Sequence, residues 1–375
     1  MANTVAIKKC NSYDIDRVYE ALKELCPKAN MPDVSGKKVL LKPNILSDAR
    51  PEAAITTNPT VVRAMIRILK ENGVSEIYVG DSPGLHTPAF TAKHCGIRDV
   101  VDEEGAIWCD FTDSPVTKRL AGMRLKLPMA AILEKVDLVF SLCKFKSHAL
   151  MYATGATKNL FGTIPNVNKA LCHAKFPSRD SFAKVIIGIH ETIKPSFCVM
   201  DGIIGMEGAG PANGTPRAMD LLLASDSCLA MDIAQATIMG HRIEDIPILR
   251  EAKRRHLLPD SIDYPLLDAK NLVIDDFERI EIKRTNLFKA LLLPFLTSRF
   301  QRIHQRKEPE PVFNDDLCIR CQRCINICPQ KALSLVPIEN SNSKHVICDL
   351  KKCIRCYCCH EMCPVNAITV GGKND

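Results

Sequence analysis

Eight cysteines of this 375-residue chain fall into two copies of one spacing, Cys318-x2-Cys321-x2-Cys324-x3-Cys328-Pro329 and Cys353-x2-Cys356-x2-Cys359-x3-Cys363-Pro364. Each short run wraps three thiolates around one small loop, close enough for three irons of a cubane, and the fourth leads the chain away through Pro into an apolar segment. In this pattern the fourth cysteine serves the other centre. Cys318, Cys321, Cys324 and Cys363 are therefore assigned to one [4Fe-4S] cluster, and Cys353, Cys356, Cys359 and Cys328 to a second. Structural zinc takes two CxxC pairs per tetrahedral site and has no need of a CxxCxxC run with a distant fourth ligand.

The repeat extends beyond the cysteines. Cys-Ile-Arg-Cys stands at 318–321 and again at 353–356, and Pro-Gln-Lys-Ala-Leu after Cys328 matches Pro-Val-Asn-Ala-Ile after Cys363. Ile319, Ile325, Ile327, Leu333, Ile354 and Ile368 are expected to shield the clusters from water, which helps set their reduction potential. Residues 314–372 resemble the two-cluster bacterial ferredoxins. Cys348 and Cys358 lie outside the pattern and are expected to be small buried hydrophobes.

A chain of this length exceeds one hydrophobic core. The expected division is an α/β domain over 1–277, a basic helical linker over 278–313 and the ferredoxin unit over 314–375. Hydrophobic residues at 46% and charged residues at 25% exclude a disordered chain. Eighteen cysteines, with no secretory leader pattern at the N-terminus, point to a reducing, cytoplasmic address. The apolar run 287–296 contains Lys289 and Pro294 and is far short of the roughly 20 residues a membrane-spanning helix needs. Much of the net charge of +7 surrounds that run. Over 284–307 it suits a solvated linker helix, with peripheral membrane contact as the alternative and no nucleic-acid partner expected.

Before the cysteines, strand and helix patterns alternate. Strands are expected at 4–10, 37–41, 77–79, 106–111, 137–142, 196–200, 221–224 and 272–274, and helices at 14–25, from Asn58-Pro59 to Gly73, 130–135, 180–192 and 228–239. Alternation of this kind indicates a mostly parallel sheet with crossover helices. Ligands of such sheets sit outside the carboxyl ends of the strands. Lys42 and Asn44, Asp81 and Ser82, Lys144, Lys146 and His148, and Asp201 all fall at or just past an expected strand end, and a glycine-rich loop carrying Glu207 follows. Lysines converging there would bind an anion, and His148 would carry a proton, with Asp81, Asp201 or Glu207 beside it. Gly208-Ala209-Gly210-Pro211 lacks the third glycine of a dinucleotide fingerprint, and there is no Walker-type Gly-Lys-Ser/Thr.

The stretches Leu-Leu-Lys42-Pro43-Asn44, Gly80-Asp81-Ser82-Pro83-Gly84, Lys144-Phe-Lys146-Ser147-His148, Thr154 through Lys158 and Asn159 to Gly162, and Asp201-Gly202 through Glu207 to Gly214 together resemble the family known as domain of unknown function 362. That resemblance covers about residues 5–275 and implies iron–sulfur redox chemistry without naming a substrate. The expected activity is a reductase that passes low-potential electrons from two [4Fe-4S] clusters to a small anionic substrate. Lys42, Lys144, Lys146 and Lys158 would hold the anion, and Asn44 and Asn159 would orient it. The expected partners are an electron donor or acceptor protein and a small molecule. The alternatives are a non-catalytic electron carrier whose large domain docks a partner enzyme, and, less favoured, a metal or cofactor chaperone.

Overall fold

The computed structural model describes residues 2–84, 86–165, 168–280, 309–338 and 343–370. The basic stretch 284–307 and most of the expected linker lie outside the described residues.

One sheet of nine strands organises the described body: β1 (Ala2–Lys9), β2 (Lys38–Pro43), β3 (Glu76–Val79), β4 (Ile107–Trp108), β7 (Leu138–His148), β8 (Tyr152–Thr154), β9 (Phe197–Glu207), β10 (Thr215–Ser225) and β11 (Ser261–Asp263). The order is β11-β1-β10-β9-β7-β2-β3-β4, with β8 folded back on β7. Strands β9, β7, β2, β3 and β4 run parallel, whereas β10 is antiparallel to both β9 and β1. The fold is thus α/β with a mostly parallel, mixed sheet. A separate hairpin pairs β5 (Val116–Arg119) with β6 (Lys126–Met129).

The helices are α1 (Ile15–Lys28), α2 (Pro59–Glu71), α3 (Pro88–His94), α4 (Ile97–Glu103), α5 (Ala156–Asn159), α6 (Asn168–Lys175), α7 (Arg179–Ile193), α8 (Cys228–Ile238) and α9 (Pro247–Arg254). Their starts are written in the sequence. Asp14 accepts from Arg17 N at 3.1 Å, Asn58 accepts from Thr60 N ahead of Pro59, and Ser178 forms a capping box with Ser181. Helices cover both faces of the sheet. Val39, Leu41, Phe140 and Leu142 pack with Leu22 of α1 and Val62 and Ile66 of α2, while Cys143 and Phe145 pack with Phe182 and Ile186 of α7 and Met231 of α8. Side chains of β7 alternate between these two cores, as a strand covered on both faces must.

Several expected elements differ from the structure. The strand expected at 137–142 runs on to His148, so Lys144, Lys146 and His148 sit inside β7, not beyond it. Likewise Asp201 lies within β9, and the glycine-rich loop is mostly strand, with only residues 208–214 left as the turn into β10. Charges are tolerated there because Lys144 and Asp201 stand in register on adjacent strands. The expected helix at 130–135 is a 3-10 turn, Ala131–Glu134, and the expected strand at 272–274 gives way to a 3-10 turn, Ala269–Leu272.

The C-terminal part pairs β12 (Pro311–Phe313) with β15 (Ile368–Val370) and β13 (Leu333–Pro337) with β14 (Lys344–Cys348), with short helices α10 (Arg323–Ile327) and α11 (Cys358–Glu361). The sequence repeat is also a backbone repeat. Arg320 and Arg355, Gln322 and Tyr357, and Lys331 and Asn366 share positive φ at matching places, curling each cysteine loop back on itself. The two copies differ in burial. Leu333 and Ile368 are buried as expected, whereas Ile319, which lines the cavity of the first cysteine set, is 60% exposed on its other side. The second loop faces the body: Tyr357 is buried in the main core and donates to Pro309 O at 2.9 Å.

Candidate functional site

Two cavities in the C-terminal part are lined by cysteines. One has Cys318, Cys321, Cys324 and Cys363 on its wall, and the other has Cys328, Cys353, Cys356 and Cys359 together with Cys358. Burial pushes the Cys324 thiol up to about 11, and its thiol neighbours Cys321, Cys318 and Cys363 add to the effect. In each half a backbone N–H donates to the crossing cysteine, Ala332 to Cys328 Sγ at 3.3 Å and Ala367 to Cys363 Sγ at 3.2 Å, as donors that tune a cluster sulfur do. Among the described residues no three Cys, His, Asp or Glu side chains close on a point as ligands of a single ion would. A cubane spreads its four thiolates over four irons, so the donor set fits it. Cys358 is buried, as expected of a cysteine outside the pattern, while Cys348 is half-buried.

The polar residues singled out in the body do not form one cluster. In β7, Ser141 stands beside Lys42 in register and Lys144 beside Asp201, and these two positions have opposite parity along the strand. They therefore point to opposite faces. On one face Lys42, fully buried, lies 2.8 Å from Asp81 and donates to Asn159 Oδ1 at 3.0 Å and Pro43 O at 2.7 Å. Burial lowers the Lys42 pKa and Asp81 opposes the fall. Asn159 donates in turn to Lys42 O and Ser141 Oγ, and Asp81 accepts from the N–H of Ile45 and of Ser82. Lys169, on α6, donates to Ser82 O, and burial pulls its pKa down to about 7.

On the other face Lys144 lies 2.8 Å from Asp201 and donates to Tyr13 Oη at 2.9 Å. Tyr13 donates to Asp201 Oδ1, while Oδ2 accepts from Lys144 Nζ and from the Asn58 N–H at the start of α2. Both lysine–carboxylate pairs are buried and hydrogen-bonded. Their Coulomb attraction and hydrogen bonds offset desolvation, and they form a frame more than a receptor.

Past the register shift in β7, the edge is less well balanced. Lys146 donates to Asn44 Oδ1 and Ile55 O, both at 2.8 Å, and burial, with the charges of Lys158 and Lys144, pushes its pKa well down. Asn44 Nδ2 reaches Asn159 Oδ1 at 3.4 Å and so ties this edge to the first face. His148 Nδ1 accepts from Leu150 N and Met151 N, so a neutral ring carries its proton on Nε2. Burial, then Lys158 and Lys146, push the His148 pKa well below its usual value, so the ring is neutral. Its Nε2 faces Glu361 Oε1 across 3.4 Å. Glu361 ends α11, on the stretch of chain between Cys359 and Cys363, and burial raises its pKa against the pull of Lys158.

Glu207 stands apart: it accepts from Arg217 Nη1 at 2.9 Å and Glu278 N at 3.0 Å, bracing the β9–β10 hairpin, and no hydrogen bond or ion pair links it to the lysines. Sequence reasoning missed Tyr13, Lys169, Glu361 and Asp232. Asp232 accepts from the N–H of Ala156 and Thr157 and so anchors the short α5 that carries Lys158 and Asn159, and burial lifts its carboxyl to about 7. Only Glu361 had a signal, its place inside the second cysteine run.

Residues 39–237 match the family described as domain of unknown function (DUF362), and residues 317–367 match a 4Fe-4S dicluster domain. The chain is 30% identical over 326 residues to thylakoid-associated protein sll1697 of Synechocystis sp., covering 83% of this chain and 98% of that protein. Among solved structures, the lactate racemase apoprotein from Thermoanaerobacterium thermosaccharolyticum overlaps 52% of this chain at 17% identity with a TM-score of 0.35. The overlap spans 50% of that protein's chain. Among the described residues no helix is long and apolar enough to cross a membrane.

Proposed function

Because the chain belongs to the domain of unknown function family DUF362 and carries a 4Fe-4S dicluster domain, we propose that it is an iron–sulfur reductase acting on a small anionic substrate at the edge of the sheet. Iron–sulfur electron transfer follows from the dicluster domain itself. What supports the further step is the approach of Glu361 Oε1 to His148 Nε2, 3.4 Å, which brings the cysteine-bearing helix to the cationic edge. When bound, two clusters held by the eight cysteines would supply electrons one at a time. Lys146 and Lys158 hold the anion, and Asn44 and Asn159 orient it. His148 offers Nε2–H to it, and an anion seated there raises the pKa of the ring so that it can take up and deliver a proton. Lys42–Asp81 and Lys144–Asp201 keep the frame rigid, and Glu207 holds the hairpin that borders it. The donor is a protein of low reduction potential that reaches the clusters from outside, and a reducing cytoplasmic address suits the unpaired cysteines.

The internal pairing of Lys42 with Asp81 and of Lys144 with Asp201 favours the second reading, a carrier whose body docks an enzyme. Complementation of a deletion strain separates the two. Lys146→Ala and His148→Ala should keep iron and sulfide content and reduction by dithionite, yet lose the cellular function. Full complementation by both would leave the carrier.

A further inference from the structure

Among the described residues, three buried or half-buried donors at the edge lack an anionic acceptor of their own. Lys146, 1% exposed, gives its hydrogen bonds to the uncharged oxygens of Asn44 and Ile55. The Lys158 side chain makes no hydrogen bond or ion pair with the described residues, though it is near enough to Lys146 and His148 to depress the pKa of both. His148 is wholly buried, yet its Nε2 finds no acceptor. The carboxylate turned toward them, Glu361, approaches Nε2 to 3.4 Å, but its buried Oε1 accepts nothing either. Unmade hydrogen bonds on buried polar atoms are costly, and they occur together here. Two lysine side chains and an N–H have Glu361 as the carboxylate turned toward them, and it satisfies none of them, whereas the neighbouring lysines Lys42 and Lys144 each have a bonded carboxylate.

We propose that Lys146, Lys158 and His148 form the binding position for one small oxyanion, a carboxylate or phosphate group, and that Glu361 stands in that position as a built-in competitor. The proposal rests on the edge being the substrate site, and it adds which three residues take the anion and what the anion displaces. Bonded to the anion, Nε2–H and the Lys158 side chain gain the acceptor they lack, and the anion favours the charged form of the lysines that burial disfavours. Glu361 must then swing away, and it belongs to α11, the helix that also contains Cys359. Anion binding and the electrostatics of the second cysteine set are therefore linked, and by reciprocity each biases the other. An anion held at this place, with Glu361 still close by, would disfavour adding an electron to a cluster held by that set and so would lower its reduction potential.

The test uses holoprotein prepared without oxygen, with acetate and inorganic phosphate as separate probes, and reads affinity by calorimetry and cluster midpoints by paramagnetic resonance. Glu361→Gln, which removes the competing charge, should bind the probe about tenfold more tightly than the unmodified protein, and Lys158→Ala about tenfold more weakly. Tightening with acetate alone identifies a carboxylate ligand and with phosphate alone a phosphate. Equal affinity in Glu361→Gln and the unmodified protein, undiminished binding in Lys158→Ala, or no binding of either probe to any form overturns the proposal. If Glu361→Gln fails to take up iron, Glu361→Asp, which draws the carboxylate back, is read the same way. Anion binding that follows this pattern while Lys146→Ala still complements would keep the site and sink the reductase; loss of complementation without the pattern would do the reverse.

Discussion

Lys144 and Asp201 show what a charge inside a strand requires. Each is removed from water, and each survives because the other, with Tyr13 and the Asn58 N–H, supplies it with hydrogen bonds. Removing one member leaves an unpaired buried charge, so Asp201→Asn should cost about 3–5 kcal/mol of stability, read from the urea midpoint. The double change Lys144→Met with Asp201→Leu should recover much of that loss. His173 predicts a pH dependence. Stacked on Phe182 and met edge-on by Phe161, it is buried, and burial followed by the charge of Lys158 lowers its pKa to about 3. The unfolded chain then binds more protons than the native one between about pH 3 and 6.5, so stability rises with pH through that window and levels off above it. His190, lowered to about 4 by burial, acts in the same sense. His173→Phe should flatten part of the acid limb in urea melts taken from pH 4 to 7, and an unchanged limb would refute the assignment.

Among the elements, β7 and the short α5 decide where the polar groups go. Lys144, Lys146 and His148 alternate with Cys143, Phe145 and Ser147, which is strand periodicity, yet their polarity reads as the end of a strand when no partner is in view. The partner that makes the longer strand tolerable, β9, is distant in sequence. Gly162 is the tightest point of the turn that follows α5. A Cβ there would overlap Asp81 Oδ1 and come within 2.6 Å of Lys42 Nζ, so the segment can lie over the lysine only as glycine. Gly162→Ala should therefore unfold at markedly lower denaturant than the unmodified chain, whereas Gly36→Ala, at a position with open space, should show only the smaller penalty of its positive φ. The glycines, caps and cysteine runs were legible in the sequence because each acts through near neighbours. Tyr13 was not, since its role exists only once β7 and β9 bring Lys144 and Asp201 to it.

At the scale of the whole molecule, the crossing of Cys328 and Cys363 means that neither cysteine run fills its cavity alone. Anaerobic protein should carry about eight irons and eight acid-labile sulfides, and Cys328→Ser should disturb the paramagnetic signal of the cluster assigned to Cys353, Cys356 and Cys359. About half that iron after full reconstitution would sink the two-cluster assignment. The α/β class and the ferredoxin unit were legible because strand–helix alternation and ligand spacing are local patterns. The meeting of Glu361 with His148 was not, because it depends on how one part of the chain is laid against another.

The first strand, β1, lies between β10 and β11, with Val5 opposite Ser225 and Ala2 beside Ser261. A ribosome therefore releases this strand long before either neighbour exists, and the sheet cannot close until about two-thirds of the chain has been made. The cysteine runs emerge after β11, onto a body that has just become able to fold. Iron delivery during biosynthesis would thus follow completion of the sheet, and a chain stalled before residue 261 should recruit chaperones without ever drawing on the cell's iron–sulfur assembly machinery.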